Sequence, residues 1–195
     1  MDFTFLGISL ILGLRHASDP DHLVAVTSLV AADGGDLGRA SRLGAWWGAG
    51  HATTLILIGV PLIAMESELP AWLESGAEKA IGIVIVLLGL QLIFRWAHVD
   101  TARTRGQAFA IGTLHGLAGT GAVVLLLIAG MGSQAEAIVA LAVFAPMSVV
   151  SMTLCTSAFA WVLTRPPVEP LHRTVLIPAL ATFGVLFGLW YAGLA

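Results

Sequence analysis

The first apolar segment of the chain runs from Phe3 to Val30 and reads FTFLGISLILGLRHASDPDHLVAVTSLV. It is long enough to cross a bilayer, for which about 20 consecutive apolar residues suffice. Its middle nevertheless contains ionisable residues, namely Arg15, His16, Asp19, Asp21 and His22. Ionisable groups at membrane depth are costly and are retained where they have a function. The segment therefore predicts a membrane helix with a functional site at its centre.

The composition of the whole chain indicates an integral membrane protein. Hydrophobic residues make up 57% of the 195 positions and charged residues only 11%, against roughly 25% charged in an average soluble domain. The first segment has no basic region before it, so we expect a retained helix and not a cleaved signal. We predict an all-α, polytopic fold with about six transmembrane helices in one domain over residues 1–195. The predicted helices are 3–30, 41–65, 78–98, 107–131, 136–163 and 174–195.

The distribution of arginine predicts the orientation in the membrane. Arginines flank the loops that follow helices one, three and five, whereas the opposite side carries only Lys79. These arginines are Arg39, Arg42, Arg95, Arg103, Arg105, Arg165 and Arg173. Because positively charged loops stay in the cytoplasm, we expect both termini to lie outside a cell (plasma) membrane. The formal net charge of −3 gives no reason to expect a nucleic-acid partner, and the sequence does not indicate the oligomeric state.

A short internal match indicates two related halves. Gly13-Leu-Arg-His16 in helix one resembles Gly112-Thr-Leu-His115 in helix four. With three helices in each half, helices one and four run in opposite directions. This predicts an inverted repeat, which in many transporters places the site at the interface between the repeats.

Pro20 predicts a break in the first helix. Proline has no N–H and its ring clashes with the carbonyl four residues earlier, here that of His16, while Asp19 is pushed away from the helical region. We expect the helix to be interrupted between His16 and His22, with the freed carbonyl facing an ion. Irregular backbone is tolerated at membrane depth only where protein or a water-filled cavity covers it.

Two further histidines lie in the middle of predicted helices, His51 in helix two and His115 in helix four. At 1.5 Å per residue, His16, His51 and His115 lie about 20, 15 and 12 Å from their helix starts, near the middle of a core of about 30 Å. Each of the last two, taken singly, is also explained as a hydrogen-bonded structural residue. Their shared depth predicts that His16, Asp21, His22, His51 and His115 converge on one polar cavity.

The donor set of this site indicates the chemistry of its ligand. The candidate metal-binding residues are His16, Asp19, Asp21, His22, His51 and His115. Imidazole and carboxylate donors without thiolate suit Ni²⁺, Co²⁺, Fe²⁺, Mn²⁺ or Zn²⁺ and argue against Cu⁺. Asp19 has a candidate partner in Arg15 one turn earlier, so Asp21 is the stronger ligand candidate. We interpret Cys155 as a packing residue, and His98 and His172 as ordinary residues at loop ends.

These segments resemble a known family. His16-Ala-Ser-Asp-Pro-Asp-His22 matches the His-x₄-Asp-His signature of nickel/cobalt transporters, and Leu-Gly-Ala-Trp-Trp-Gly-Ala-Gly-His51 is similar to their second segment. Leu-His-Gly-Leu-Ala-Gly-Thr-Gly121 resembles the short, UreH-like branch. Pro20 stands where the family usually has alanine. The resemblance implies a secondary permease and not an enzyme, with His16, Asp21 and His22 as substrate ligands and His51 as a contributor.

The resemblance further implies that Ni²⁺ or Co²⁺ is the transported substrate, with no permanently bound cofactor and with the lipid bilayer as the other partner. Two other functions remain open from the residues themselves. Histidines on three helices are also typical of an electron-transfer protein with axial haem ligands. The same ligands also suit an intramembrane metal hydrolase, although neither a G-x-S-x-G nor an H-E-x-x-H pattern occurs. The sequence does not distinguish import from export.

Overall fold

The computed structural model describes residues 3–31, 36–97, 104–166, 168 and 171–194. Within these ranges the fold consists of helices, and no strand occurs. The helices are α1 (Phe3–His16), α2 (Pro20–Ala31), α3 (Leu37–Ala64), α4 (Ala71–Ala97), α5 (Arg105–Gly130), α6 (Gln134–Leu163) and α7 (Ile177–Tyr191). A π-helical turn, His172–Leu176, leads into α7. The prediction of an all-α fold is confirmed.

Several helices have the length and composition of membrane spans. Four candidates occur among the described residues: Leu37–Ala64, Ala71–Phe94, Gln134–Leu163 and Thr174–Tyr191. The helix α5 has 26 residues, roughly 39 Å at 1.5 Å per residue, which exceeds a bilayer core of about 30 Å. The apolar part of α1, Leu6–His16, is shorter, and α1 and α2 together correspond to the first predicted span. The chain is a multi-pass membrane protein.

Side-chain caps fix where three of the long helices begin. Asp36 accepts a hydrogen bond from the backbone N–H of Arg39 at 2.7 Å before α3. Thr104 and Gln107 form a reciprocal capping box at the start of α5, and Ser133 caps α6. These bonds satisfy N–H groups that the first helical turn leaves without partners. The capped starts therefore separate the apolar spans from the polar connections.

The connections between spans lie at two opposite faces of the bundle. The loops before α4 and α6 meet at one face, where Gln134 Nε2 donates to Glu66 Oε1 at 2.8 Å. We call this the terminal face, because α1 begins and α7 ends there. At the opposite face Arg39, Arg42 and Arg105 line a shared cavity, and we call it the arginine face. The assignment of the arginine face to the cytoplasm stays a prediction.

Matching hydrogen bonds relate the first three spans to the last three. The hydroxyl of Ser151 in α6 donates to the carbonyl of Leu14 in α1. The hydroxyl of Thr54 in α3 donates to the carbonyl of Thr113 in α5 at 3.0 Å. Leu14 and Thr113 both lie two residues before the histidine of the predicted repeat. If α1 corresponds to α5 and α3 to α6, Leu14 corresponds to Thr113 and Ser151 to Thr54. The two hydrogen bonds then occupy equivalent positions in the two halves.

Two glycines make equivalent close contacts between α4 and α7, which indicates that these helices also correspond in the two halves. A Cβ at Gly89 would lie 3.0 Å from the backbone nitrogen of Val185, and a Cβ at Gly188 would lie 2.9 Å from that of Val86. The sequences around them also match, with Val-Leu-Leu-Gly-Leu around the first glycine and Val-Leu-Phe-Gly-Leu around the second. Together with the hydrogen bonds between the other spans, this exchange supports the predicted inverted repeat.

Some predicted features lie outside the described residues. They include the turn residues 33–35, His98 and the loop residues 100–103. At His172 only the backbone is described. Cys155 is half-buried and packs against the core cluster that contains Trp47 and Met152, in line with its interpretation as a packing residue.

Candidate metal centre

The chain breaks between α1 and α2 at the position that Pro20 predicts. The helix α1 ends at His16, and α2 begins at Pro20, the first helical position, where the missing N–H costs nothing and the fixed φ suits the helix. The predicted interruption between His16 and His22 is confirmed. The predicted free carbonyl of His16 is wrong, because the N–H of Asp19 donates to it at 3.2 Å.

This turn gathers the polar side chains of the first span. The ring centroids of His16 and His22 are 4.4 Å apart, and His16 Nδ1 lies 3.4 Å from Asp19 Oδ2. In the first turn of α2, His22 Nδ1 lies 3.1 Å from Asp21 Oδ1. Because the helix is broken, His16, Asp19 and His22 do not form the slanting stripe that a continuous helix would give. They surround the turn instead.

The break also places two helix ends inside the protein. The carboxyl end of α1, with its partial negative charge, lies at His16 and favours a cation. The amino end of α2 carries a partial positive charge, and Asp21 occupies its first turn. A carboxylate there is stabilised by the helix and offsets its positive end. The backbone therefore supports both the imidazole and the carboxylate part of the cluster.

Glycines let α5 approach α3 closely enough to bring His51 and His115 to the same place. A Cβ at Gly116 would lie 2.6 Å from the carbonyl oxygen of His51, and a Cβ at Gly112 would overlap the carbonyl of Trp47. Backbones can pack this closely only where the side chain is missing. As a result the ring centroids of His51 and His115 are 6.5 Å apart.

Two short contacts join these helices to the break. His16 Nε2 lies 2.9 Å from His51 Nε2, and His115 Nε2 lies 2.8 Å from Asp21 Oδ2. His22 lies between the two contacts, with ring centroids 4.4 Å from His16 and 4.3 Å from His115. The structure thus brings the five residues together from three predicted spans. Their role as metal ligands stays a prediction.

Exposure is uneven across this cluster. The side chains of Asp19 and His16 are 50% and 12% exposed. His22 and His115 are only 3% and 2% exposed, and His51 is fully buried. Asp21, in the first turn of α2, is 18% exposed. The histidines of the cluster are therefore largely covered by protein, and the most accessible of its side chains is Asp19, beside His16.

A cavity of about 210 Å³ adjoins Asp19 and His16. Its walls include Arg15, His16 and Asp19 from the first span, Val123 from α5 and Phe144 from α6. Val123 belongs to the half of α5 nearer the terminal face, so the cavity extends from His16 toward that face. The guanidinium of Arg15 and the carboxylate of Asp19 are the charged groups on its wall.

Three imidazole nitrogens in the described part of the chain are buried without a hydrogen-bond partner, as is the indole Nε1 of Trp47. The imidazole nitrogens are His22 Nε2, His51 Nδ1 and His115 Nδ1. A buried polar atom left unsatisfied costs about 1–3 kcal/mol. Such atoms are rare in native proteins and each calls for an explanation, such as a bound ion or water. Imidazole nitrogens with a free lone pair are ligands that a transition-metal ion prefers.

The ligand atoms form two sets of three, with all atoms of a set within 4.8 Å of one another. One set is His16, His22 and His51, and the other is Asp21, His22 and His115. Metal bonds of about 2.1 Å at about 90° place neighbouring ligand atoms roughly 3.0 Å apart. The contacts of 2.9 Å and 2.8 Å within the two sets are close to that spacing. Each set therefore suits one divalent ion.

The aromatic residues around the cluster were not identified from the sequence. Phe144 of α6 packs against His16 with ring centroids 5.2 Å apart, and Trp47 of α3 packs against His115 at 5.8 Å. The repeat that relates α1 to α5 and α3 to α6 makes these two contacts equivalent. The internal repeat could have identified them from the sequence, because an alignment of α3 with α6 pairs Trp47 with Phe144.

Two proteins of known name are similar to this chain. The urease accessory protein UreH of Bacillus sp. (strain TB-90) is 26% identical over 206 residues, which cover 96% of this chain and 90% of UreH. The high-affinity nickel transport protein of Cupriavidus necator is 35% identical over 81 residues, which cover 42% of this chain and 22% of the transporter. These matches confirm the resemblance to nickel/cobalt transporters and their UreH-like branch.

The resemblance to the UreH-like branch extends over almost the whole chain, whereas the match to the nickel transporter covers less than half of it. No family model matches the sequence. No solved structure is significantly similar to it.

Proposed function

We propose that this protein is a divalent-metal permease that carries nickel or cobalt across the membrane. Residues 1–195 form one transmembrane permease domain, and the cluster around His22 is the substrate site. His16, Asp21, His22, His51 and His115 supply the ligands of this site, and Asp19 lies at its mouth. The metal is cargo and not a resident cofactor, and the protein is not an enzyme.

The observation that carries this proposal is the buried cluster itself. Four imidazoles and one carboxylate from three spans meet within contact distance, at the point where the first span is broken. Isolated buried histidines would each require a separate partner, whereas an ion satisfies several of them at once. Nitrogen donors with one carboxylate and no thiolate suit Ni²⁺ and Co²⁺. The names of the two relatives, a nickel transport protein and a urease accessory protein, favour nickel.

Three features favour transport over permanent binding. The site lies at a break in a membrane span, its ligands come from helices that belong to different repeats, and a cavity connects it to one face. Broken helices at the interface of inverted repeats are typical of secondary transporters, in which one repeat rocks against the other. Ligands on separate elements can move apart and release the ion.

The geometry does not favour the haem alternative. A haem places its flat macrocycle between axial ligands on opposite sides of the iron. Here His22 packs against His16 and His115 with ring centroids 4.4 Å and 4.3 Å apart, so imidazole fills the space that a macrocycle would need. No contact among the described residues favours a hydrolase over a permease.

Metal uptake into reconstituted vesicles tests the proposal. Purified protein is reconstituted, and uptake of Ni²⁺, Co²⁺, Fe²⁺, Mn²⁺ and Zn²⁺ is compared in parallel. We expect Ni²⁺ or Co²⁺ uptake that His16→Ala and His22→Ala abolish and His115→Ala weakens. His98→Ala is the matched control and should leave uptake unchanged. Absence of uptake of all five metals, or a stoichiometric haem seen as a Soret band, would contradict the proposal.

A further inference from the structure

We propose that the transported ion occupies two successive positions that share His22. The first position is formed by His16, His22 and His51, and the second by Asp21, His22 and His115. This inference rests on the proposed permease function and deepens it, because it divides one substrate site into two positions with different access.

The two ligand sets lie too far apart for one ion to contact all of their members. Only His22 belongs to both sets, and the five residues together do not satisfy the limit of 4.8 Å that holds within each. Two ligands of one ion are at most about 4.2 Å apart, twice a metal–nitrogen bond of about 2.1 Å. A single ion therefore cannot use all five ligands in this structure.

The two ring nitrogens of His22 have different surroundings. Nδ1 lies 3.1 Å from Asp21 Oδ1, an atom of a residue in the second set, whereas Nε2 is buried without a hydrogen-bond partner. A neutral imidazole has a lone pair on only one of its nitrogens, since the other carries the proton. His22 therefore serves one position at a time, and the positions are occupied in succession.

The repeat gives the two positions different access. His16 and His115 correspond in the two halves, and their rings lie at nearly equal distances from His22. The first position adjoins the cavity that extends toward the terminal face.

Packed apolar side chains take the place of that cavity in the other half. Val24 and Ala118 share one buried core cluster, against which Leu114 packs, and Trp47 is fully buried. These residues correspond in the repeat to residues that line or adjoin the open cavity. Exchange of the two halves' conformations would close the first position and open the second toward the arginine face.

Metal binding by purified full-length protein tests this inference separately from transport. Protein stripped of metal with a chelator is titrated with Ni²⁺ in a calorimeter. Loss of even an outer-shell partner costs roughly 10–100-fold in metal affinity, so His22→Ala, which removes a ligand from both positions, should weaken binding about 100-fold or more. His16→Ala and His115→Ala each leave one complete set and should still bind one ion, with His98→Ala as control.

The separation between binding and uptake gives the second readout. We expect His115→Ala to lose uptake more than it loses binding, because the ion still reaches the first position but moves on to the weakened second position less efficiently. Absorption spectra of bound Co²⁺ identify which set remains. Only nitrogen ligands are left in His115→Ala, whereas a carboxylate oxygen contributes in His16→Ala, so the two spectra should differ.

Two results would overturn the inference. One is equal loss of Ni²⁺ binding in His16→Ala, His22→Ala and His115→Ala when each elutes as folded protein, which indicates one indivisible site. The other is an identical Co²⁺ spectrum in the two end variants. Asp21→Asn, a smaller change confined to the second set, replaces His115→Ala if that variant does not fold and should bind as that variant is expected to. Failure of wild-type uptake would instead contradict the permease function itself.

Discussion

His115 and Asp21 are separated by 94 positions in the chain, yet His115 Nε2 lies 2.8 Å from Asp21 Oδ2. The second oxygen of the same carboxylate lies 3.1 Å from His22 Nδ1, so each oxygen contacts one imidazole. His115 belongs to α5 and Asp21 to the first turn of α2. The pair therefore connects α2 of the first half to α5 of the second, with no ion required.

This contact predicts coupled effects on stability. In metal-free protein, Asp21→Ala leaves His115 without its partner, and His115→Ala leaves a largely buried carboxylate without one, each costing about 1–3 kcal/mol. The double variant should lose less than the sum of the two, with a coupling of about 0.5–3 kcal/mol, as for residues in direct contact. Thermal unfolding in detergent with a chelator present measures all four proteins.

The matched control for this double-mutant comparison combines Asp21→Ala with Gln134→Ala. Gln134 lies at the terminal face, where it donates to Glu66, and shares no contact with the site. Its effect should add to that of Asp21→Ala within about 0.5 kcal/mol. Additive losses for Asp21 and His115 would mean that the two side chains do not interact in the protein.

Close packing of α5 on α3 gives a second prediction. Gly116→Ala places a Cβ 2.6 Å from the carbonyl oxygen of His51, so the two helices must separate and the ligands move apart. We expect a loss of about 1–3 kcal/mol in unfolding free energy and a large loss of Ni²⁺ uptake. Gly119→Ala in the same helix is the control, because a Cβ there meets nothing within 4 Å. Equal behaviour of the two variants would argue against this packing.

Much of the fold follows from periodicity and composition. The apolar runs, the polar breaks between them and the proline in the first span were enough to place the helices and the interruption, because a bilayer fixes the length and polarity of each span. His16, His51 and His115 could be grouped because their depths along three separate spans are similar, and His22 belongs to the same span as His16. Depth is a one-dimensional quantity that a sequence provides directly.

Lateral arrangement could not be obtained in the same way. Depth does not state which helix faces which, so the division of the ligands into two sets sharing His22 required coordinates. The hydrogen bonding of the His16 carbonyl is a second feature that the sequence did not predict correctly. Pro20 removes one donor, but the N–H of Asp19 takes its place in a turn, and local rearrangements of this kind depend on backbone angles that the residue types alone do not fix.

Pro20 itself gives a third prediction. It occupies the first position of α2, and the turn before it is also held by hydrogen bonds from Ser18 to Arg15 and from Asp19 to His16. Pro20→Ala should therefore keep the break. We expect a loss of about 0.4–1 kcal/mol, because the unfolded chain gains freedom, with Ni²⁺ uptake within about threefold of wild type, less than about 1 kcal/mol of activation free energy.

Pro178→Ala provides the comparison for this variant. Pro178 also lies in the first turn of a helix, α7, but away from the metal centre. Both variants should show similar losses of stability in thermal unfolding and similar uptake. A tenfold or greater loss of uptake confined to Pro20→Ala would show that the proline, and not the rest of the turn, maintains the break.

The last prediction concerns orientation. Arg39, Arg42 and Arg105 line one cavity at the arginine face, whereas Glu66 and Gln134 meet at the terminal face. Short loops rich in arginine stay in the cytoplasm, so the terminal face should lie outside. We therefore expect the cavity beside His16 to open outward, which would make this structure an outward-open state.

Cysteine labelling in intact cells checks this orientation. With Cys155→Ser as background, one protein carries a cysteine on an N-terminal extension and a second carries Ala102→Cys in the loop after helix three. A membrane-impermeant maleimide should label the first in intact cells and the second only after lysis. The opposite pattern would place the arginine face outside, because the two positions lie on opposite sides of the bilayer in either orientation. The cavity beside His16 would then face the cytoplasm, and the ion would reach the first position from inside.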